Sequence, residues 1–371
     1  MRKIGEKEIE DMAVGAAVLG TGGGGDPYVG KLMAIQAVRE YGEVTLLDPE
    51  EVPDDELVVP SSMMGAPTVS VEKIPNGEEP FSSFNVLEQL LGKKIYATMS
   101  IEAGGVNSMI PIALAARKGI PLVDADTMGR AFPELQMTTF HLHGIHGTPL
   151  SMCDEKGNSL ILNTISNKWT EELARASTVI MGGSSILADY AVTGRQLKEA
   201  GVLGTATKCE RIGRAIREAA REKKNPIQAV LAVTDGFLLF NGKIMDVERK
   251  TDGAFVHGKA VIEGLGDNKD EYATVYFQNE NIVARKGDSI LATAPDLIVL
   301  LDKETARPVT TERIKYGARV VMIGIPCDPQ WRSEKGIETV GPRYFGYEID
   351  YIPIEARMRK ESLHEKLEDR N

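Results

Sequence analysis

The first part of the chain alternates helical and strand-like patterns of apolar residues. From Glu6 to Leu19 the apolar residues recur three and four positions apart, which predicts a helix, and a second helix is predicted from Tyr28 to Tyr41. Short apolar runs typical of strands follow at Val44–Leu47, Leu57–Val59, Ile95–Thr98 and Leu122–Val123, with predicted helices at Asn85–Leu91 and Ser108–Lys118. Strands that alternate with helices predict an α/β domain with a partly parallel sheet.

The pattern changes near residue 165. Helices are predicted at Lys168–Ala176 and Val202–Lys223, with a strand at Val179–Met181 between them. After Pro226 come short strand-like runs, separated by Asp-Gly and Asn-Gly pairs that favour tight turns. We therefore expect two domains, an α/β domain over residues 1–165 and a β-rich α+β domain over residues 166–371. The charged residues after Met358 are expected to form a helix or a frayed end.

Composition and charge narrow the possible partners. The 371 residues are 42% apolar and 26% charged, which is typical of a globular protein and excludes a fibrous or wholly disordered chain. The net charge of −11 disfavours nucleic acid. No apolar run approaches the ~20 residues that cross a bilayer, and the first residues do not resemble a secretory signal. We expect a cytoplasmic homo-oligomer with a small-molecule substrate and no nucleic-acid or membrane partner.

A glycine-rich segment lies between the first two predicted helices. Gly22, Gly23, Gly24 and Gly25 precede Asp26, and successive glycines let backbone N–H groups form a concave anion-binding nest. The segment matches neither common nucleotide-binding motif. We predict that these five residues bind substrate. The alternative is a tight turn between helices, packed against another backbone.

An acidic cluster follows the predicted strand at Leu122–Val123. Asp124 and Asp126 alternate along an extended chain and so share one side, where two carboxylates repel unless a cation or a proton lies between them. Arg130 can bind either carboxylate or a substrate carboxylate, and Glu134 is a further candidate for substrate binding. The alternative is a solvated acidic loop in which Arg130 is a structural clamp.

A second loop with a carboxylate follows the preceding strand. Glu102 and Asn107 flank a glycine pair, and the ends of neighbouring parallel strands are where open α/β sheets bind ligands. Asn107 is a candidate for substrate binding and also a possible helix N-cap. The two loops together predict a cleft, with Glu102 as a candidate catalytic residue.

Three histidines and one cysteine complete the candidates. His141, His143 and His146 lie within six residues, and imidazole with carboxylate suits Zn²⁺, Mn²⁺ or iron. On a strand His141 and His143 would share a face, although all three could instead be polar positions on an edge strand. Cys153 could be a nucleophile, but single cysteines are more often small buried apolar residues. The three cysteines of the chain contain no CxxC pair, which excludes a zinc ribbon and a disulfide framework.

Several of these segments together resemble a known family. They are AVGAAVLGTGGGGDPYVGKLMA, SIEAGGVNS, PLVDADTMGRAFPELQMTTF, GKIMDVERKTDG, FQNENIVA, APDLIVLLD and VGPRYFGYEIDY. The chain is similar, from about residue 5 to 355, to the S-methyl-thiohydantoin desulfurases, which often carry hydantoinase-related names. The resemblance implies two domains and a reaction on a five-membered hydantoin-like ring, in which sulfur is removed from C2 and a carbonyl is left.

The leading hypothesis is a metal-assisted hydrolase. A divalent metal such as Zn²⁺ or Mn²⁺, bound by Asp124, Asp126 and His141 or His143, would activate water. Glu102 would be the general base, and Arg130 with the glycine segment would orient the substrate and stabilise charge on the ring. Two alternatives remain open: a non-catalytic binding or accessory subunit of a hydantoinase-type system, and a metal-free enzyme with a cysteine nucleophile.

Overall fold

The computed structural model describes residues 1–65, 77–252 and 255–359. The chain divides into two compact units: Met1–Arg214 with Thr251–Phe255, and Ala215–Lys250 with Val256–Asn371. Among the described residues, no helix has both the length and the apolar character that crossing a membrane requires. The predicted tail after Met358 lies outside the described residues except for its first position.

The elements of the first unit alternate as the sequence predicts. Its strands are β1 Arg2–Ile4, β2 Val44–Leu47, β3 Leu57–Gly65, β4 Ala97–Met99, β5 Leu122–Val123, β6 Ala125–Asp126, β7 Leu150–Cys153, β8 Ser159–Leu162, β9 Ser184–Ala188, β10 Val192–Thr193 and β11 Val202–Leu203. Its helices are α1 Glu6–Leu19, α2 Pro27–Tyr41, α3 Glu79–Leu91, α4 Ile110–Lys118, α5 Thr139–Leu142, α6 Asn167–Ile180, α7 Gly194–Ala200 and α8 Thr205–Arg221, which continues past Arg214.

The main sheet of the first unit is mixed. Its described strands follow the order β1-β2-β5-β4-β3-β9-β7-β8, with β10 paired to β3. The central pairs β2–β5, β5–β4 and β4–β3 are parallel, and the pairs that β9 makes with β3 and β7 are antiparallel. Helices α3 and α4 cover one face through Phe84, Leu87 and Leu114. Leu135 and Ala174 pack on the other face, against Leu187. Because β4 and β5 are adjacent and parallel, the loops that follow them lie side by side.

The second unit is rich in antiparallel strands. Its elements are α9 Pro226–Thr234, β12 Phe237–Asp252, β13 Phe255–Gly264, β14 Tyr272–Gln278, β15 Glu280–Lys286, β16 Ser289–Thr293, β17 Leu297–Asp302, β18 Arg319–Ile325 and α10 Glu334–Val340. The described sheet has the order β16-β15-β14-β13-β12-β18-β17. Phe240, Phe277 and Met322 lie in its apolar core. The predicted fold class, an α/β domain followed by a β-rich α+β domain, is confirmed.

Two local predictions differ from the structure. The strand predicted at Val179–Met181 is wrong, because helix α6 continues through Ile180 and the strand begins at Ser184. Residues 226–234 form a helix, because Asn225 caps it by accepting hydrogen bonds from Ile227 N and Gln228 N. Strand β9 lies inside the first sheet, and the first compact unit continues to Arg214. The expected domain boundary near residue 165 stays a prediction.

Candidate functional site

Glu102 lies in the loop after β4 and is almost fully buried. The loop is tied to the one after β5, because Thr127 N donates to Ile101 O (3.0 Å) and Ala103 N donates to Arg130 O (3.2 Å). Asn107 Nδ2 donates to Glu102 Oε1 at 2.8 Å, and Phe132 N donates to Glu102 Oε2 at 3.3 Å. The structure therefore brings together three parts of the predicted cleft: Glu102, Asn107 and the Arg130 segment.

The buried position of Glu102 changes its ionisation. Burial raises the pKa of the Glu102 carboxyl to about 7, because the charged form loses its hydration. The hydrogen bonds from Asn107 and Phe132 and the charge of Arg130 act in the opposite direction and limit the rise of the pKa. A carboxyl with a pKa near neutrality exists in both forms at pH 7, so it can accept and return a proton.

Asn107 connects this carboxylate to the sheet. Its Oδ1 accepts a hydrogen bond from Met63 N at 2.8 Å, and its Nδ2 lies 3.4 Å from Met63 O as well as bonding to Glu102. The N-cap interpretation is wrong, because Met109 occupies the N-cap position of α4. Asn107 holds the Glu102 side chain against β3, and its predicted contact with substrate stays a prediction.

The glycine-rich segment packs closely on the Glu102 loop. Val106 N donates to Gly24 O at 2.8 Å. A Cβ on Gly104 would lie 2.7 Å from the Cα of Gly24 and 2.8 Å from Glu102 Oε1, so no side chain fits there. Gly24 also has a φ of +72°, which disfavours other residues. This backbone-to-backbone packing corresponds to the alternative interpretation of the segment.

The other candidate residues of the glycine-rich segment make contacts within the segment or with the first turn of α2. Gly23 N donates to Gly20 O at 2.9 Å, while Gly22 and Gly25 have φ values of +95° and +78°. Asp26 is the N-cap of α2, where its Oδ1 accepts a hydrogen bond from Tyr28 N at 2.8 Å. Substrate binding by Gly22, Gly23, Gly24, Gly25 and Asp26 stays a prediction.

Arg130 is fully buried beside the Glu102 loop. Its Nε donates to Ala131 O at 3.1 Å, and its guanidinium lies 4.3 Å from the centre of the Phe132 ring. Such stacking fixes the plane of the guanidinium. Glu134, also buried, accepts a hydrogen bond from Lys168 Nζ at 2.8 Å and another from Gln136 Nε2. Arg130 thus places a positive charge near Glu102, whereas Glu134 already has a cationic partner.

The two aspartates contact the start of helix α8. Asp124 Oδ1 accepts a hydrogen bond from Thr207 N at 2.9 Å, and Asp124 Oδ2 accepts one from the Thr207 hydroxyl. Asp126 is fully buried; its Oδ1 accepts from Gly129 N at 2.8 Å and Met128 N at 3.3 Å and lies 3.1 Å from the Thr205 hydroxyl. Both carboxylates therefore join the segment from the end of β5 through β6 to the N-terminus of α8, where the helix dipole favours negative charge.

The histidines do not lie on a strand. Thr138 caps a short helix by accepting from His141 N at 3.1 Å, so His141 lies in α5 and His143 at its C-cap. His141 Nδ1 lies 3.2 Å from Asn167 Nδ2. Among the described residues, no three His, Cys, Asp or Glu side chains form a group that could hold a metal ion. Metal binding by Asp124, Asp126, His141 and His143 stays a prediction without support from this geometry.

Cys153 is a poor candidate for a nucleophile. It ends strand β7 and is 2% exposed. Burial, with Asp154 and Glu79 nearby, raises the pKa of the Cys153 thiol to about 11. The thiol is therefore protonated at neutral pH, whereas the reactive form is the thiolate.

Sequence reasoning missed several polar groups around these loops. Thr205 and Thr207 bind the two aspartates, and Lys168 binds Glu134. Asp189 is completely buried, and this raises the pKa of its carboxyl to about 7. The sequence signal for Asp189 was a single aspartate directly after the apolar run of β9.

Comparisons with known proteins agree with the fold. A protein from Chromobacterium violaceum, known from an X-ray crystal structure, matches with a TM-score of 0.81 and 23% sequence identity; the match covers 95% of this chain and 100% of that one. This likeness shows the fold alone. No curated protein matches the chain.

Two family matches cover almost the whole chain. Residues 7–164 match the S-Me-THD-like N-terminal domain, and residues 165–354 match the S-Me-THD-like C-terminal domain. These matches meet near residue 165, whereas the compact units divide after Arg214, so the domain boundary near residue 165 stays a prediction. The chain belongs to the S-Me-THD-like family.

Proposed function

We propose that the protein hydrolyses a thiohydantoin-like ring at C2, replacing sulfur with oxygen, and that Glu102 is the proton-transferring residue. The observation that carries this proposal is the buried Glu102 carboxyl, with a pKa raised to about 7, beside a buried arginine. Family membership supports the class of substrate. It leaves the reaction itself to be tested.

The reaction needs one water molecule and one residue that moves a proton. Water oxygen adds to C2 of an S-alkylated ring while Glu102 accepts one of its protons. The C2–S bond then breaks, the sulfur leaves as a thiol, and the C2–O bond becomes a carbonyl. The two protons of the water end on the sulfur and on the ring nitrogen that was double-bonded to C2.

The surroundings of Glu102 suit this role. Each carboxylate oxygen accepts one hydrogen bond, from Asn107 or Phe132, and keeps a second lone pair for the water. A carboxyl with a pKa near the working pH transfers protons efficiently in both directions. The positive charge of Arg130 favours negative charge that develops on the ring during the addition.

A metal is not needed for this form of the reaction. Asp124 and Asp126 accept hydrogen bonds from backbone N–H groups and from threonine hydroxyls at α8, which orients them toward the helix. We therefore assign these two aspartates a structural role and derive no step through a bound ion. Metal analysis of the protein purified without added metal tests this assignment, and a stoichiometric Zn²⁺ or Mn²⁺ content would contradict it.

The direct test is turnover of an S-methyl-thiohydantoin ring by the purified full chain. We expect release of methanethiol, measured with a thiol reagent, and transfer of oxygen from labelled water to C2, measured by mass spectrometry. Glu102→Gln keeps the size of the side chain but cannot accept the proton, so kcat should fall by about a hundredfold or more. Glu10→Gln makes the same change at an exposed position of α1 and should leave kcat unchanged.

Two results would contradict the proposal. Equal turnover by wild type and Glu102→Gln would remove Glu102 from the mechanism. Binding of the ring without thiol release, by protein whose circular dichroism is native, would instead favour the non-catalytic binding subunit.

A further inference from the structure

The Arg130 segment, residues 130–135, supplies two of the groups around Glu102. Phe132 N donates to Glu102 Oε2, and the charge of Arg130 acts on the same carboxyl. The Arg130 guanidinium in turn lies 4.3 Å from the centre of the Phe132 ring. The position of Phe132 therefore determines both a hydrogen-bond donor and a charge beside Glu102.

Two side chains of helix α6 hold the backbone of this segment just after Phe132. Arg175 Nη2 donates to Pro133 O at 2.8 Å. Leu135 N donates to Glu171 Oε2 at 2.9 Å. Arg175 Nε also donates to Glu171 Oε1, so the two side chains, four positions apart on α6, form one ion pair. We call it the Glu171–Arg175 pair, and it binds both a carbonyl and an N–H group of the same segment.

The Glu171–Arg175 pair is shielded from water. Glu171 is 3% exposed, and the side chain of Arg175 is 15% exposed. The Arg175 guanidinium also lies 4.4 Å from the centre of the Phe255 ring, which belongs to the same compact unit. A buried ion pair loses hydration and is by itself weak evidence for stability. It does fix geometry, because the planar guanidinium donates in more than one direction at once.

The proline at position 133 passes this fixed geometry on to Phe132. The proline ring locks the φ angle of residue 133 and restricts the backbone of the residue before it. A bond that holds Pro133 O in place therefore leaves Phe132 N few directions in which to point.

We propose that the Glu171–Arg175 pair positions Phe132 for the reaction at Glu102. Held in this way, Phe132 keeps its N–H group on Glu102 Oε2 and its ring against the Arg130 guanidinium. Glu171 and Arg175 are thus positioning residues that act through Phe132. The inference rests on the proposed function, in which Glu102 is the proton-transferring residue.

The test compares wild type with the double variant Glu171→Gln/Arg175→Met. This variant removes the donor to Pro133 O without leaving an unpaired buried charge, and the new amide oxygen can still accept from Leu135 N. We expect kcat to fall about tenfold, because small displacements of reacting groups slow a reaction strongly. The acidic limb of the kcat/KM profile should move to higher pH by about half a unit, since the charged form of Glu102 loses a hydrogen bond.

Glu210→Gln/Arg214→Met is the matched control. Glu210 and Arg214 form an ion pair of the same spacing on α8, and Glu210 is likewise 3% exposed. Glu210 also pairs with Arg2, so this pair joins α8 to strand β1. The control should lower stability without moving the acidic limb.

A single substitution gives a second comparison. Arg175→Lys keeps the positive charge beside Glu171 but replaces the guanidinium fork with one nitrogen. We expect a shift of the acidic limb in the same direction and a kcat between those of wild type and the double variant. Because the charge is kept, this variant tests the proposal even if the double variant does not fold.

Carboxyl ¹³C NMR of glutamate-labelled protein measures the effect without turnover. The Glu102 signal is identified by its loss in Glu102→Gln, and its titration midpoint should lie at higher pH in the double variant than in wild type. A raised midpoint in a protein that turns over no thiohydantoin would refute the proposed reaction and would still support the positioning of Phe132.

Two outcomes would overturn the inference. One is a natively folded double variant, or Arg175→Lys, whose acidic limb and Glu102 midpoint match those of wild type. The other is an equal shift in Glu210→Gln/Arg214→Met, which would show that any loss of a buried ion pair in this unit has the same effect.

Discussion

The chain segments that follow β4 and β5 lie side by side, and each carries a buried carboxylate, but the hydrogen-bond donors around the two carboxylates differ. Asp126 faces two backbone N–H groups and a threonine hydroxyl on one oxygen, next to the N-terminus of α8. Glu102 has one donor on each oxygen, in a place where burial raises the pKa of its carboxyl to about 7. Three donors on one oxygen fix Asp126 to the surrounding backbone, whereas a buried carboxyl whose charged form loses its hydration can exchange a proton.

Removing the Asp126 carboxylate should have the largest effect on stability. Asp126→Ala leaves the N–H groups of Met128 and Gly129 buried without their acceptor, so we expect a loss of about 3 kcal/mol in the free energy of unfolding. Urea unfolding followed by circular dichroism measures it. Asp126→Asn keeps one acceptor oxygen and should cost less, with kcat of the folded protein largely preserved. If Asp126→Asn abolished turnover while stability stayed native, Asp126 would belong to the reaction.

The pH dependence of stability should reveal the ionisation of Glu102. The pKa of Glu102 rises from 4.5 to about 7 on folding, so the folded state binds the proton more tightly. The contribution of Glu102 to the free energy of unfolding is fully present below pH 4.5 and is lost as the pH rises through 7. The Glu102→Gln variant does not lose this contribution as the pH rises. The free energy of unfolding of Glu102→Gln relative to that of wild type should therefore increase by about 2–3 kcal/mol between pH 4.5 and pH 8.

Urea unfolding of both proteins at several pH values measures that difference. Asp189→Asn is an informative comparison, because burial also raises the pKa of Asp189 to about 7 and the same sign is expected. A stability difference between Glu102→Gln and wild type that does not change with pH would mean that Glu102 titrates normally.

The sequence predicts that the two loops are neighbours, but it does not predict which groups donate hydrogen bonds to their carboxylates. Strand-like runs at residues 95–98 and 122–123 predicted neighbouring strands, and Thr127 and Ile101 do join the two loops. The partner of Asp124, however, is Thr207, which is 83 positions away. Hydrophobic periodicity predicts that residues 202–223 are helical. It does not predict that the N-terminus of this helix lies beside Asp124. The contact between Gly24 and Gly104 was equally hidden, since both glycines also suited a ligand-binding loop.

Asn107 offers a smaller change at the same carboxylate. Asn107→Ala removes the hydrogen bond to Glu102 Oε1, which favours the charged form, so the pKa of Glu102 should rise further. The acidic limb of the kcat/KM profile should move to higher pH by about one unit, equivalent to about 1.4 kcal/mol. Ser108→Ala is the control, because the Ser108 hydroxyl contacts the backbone of Glu102 but not its carboxylate. An unmoved limb in Asn107→Ala would limit Asn107 to a packing role.

Substitution of Cys153 should have the smallest effect on turnover. It tests whether proton transfer by Glu102 accounts for catalysis without a cysteine nucleophile. The thiol is buried, and the pKa of about 11 keeps it protonated, so a mechanism through a thiolate would work against both its burial and its charge surroundings. Cys153→Ala should change kcat less than twofold and cost about 1 kcal/mol of stability from lost packing. Iodoacetamide treatment of the native protein should likewise leave turnover unchanged. Complete loss of turnover in Cys153→Ala, with native circular dichroism, would transfer the central chemical role from the Glu102 loop to strand β7.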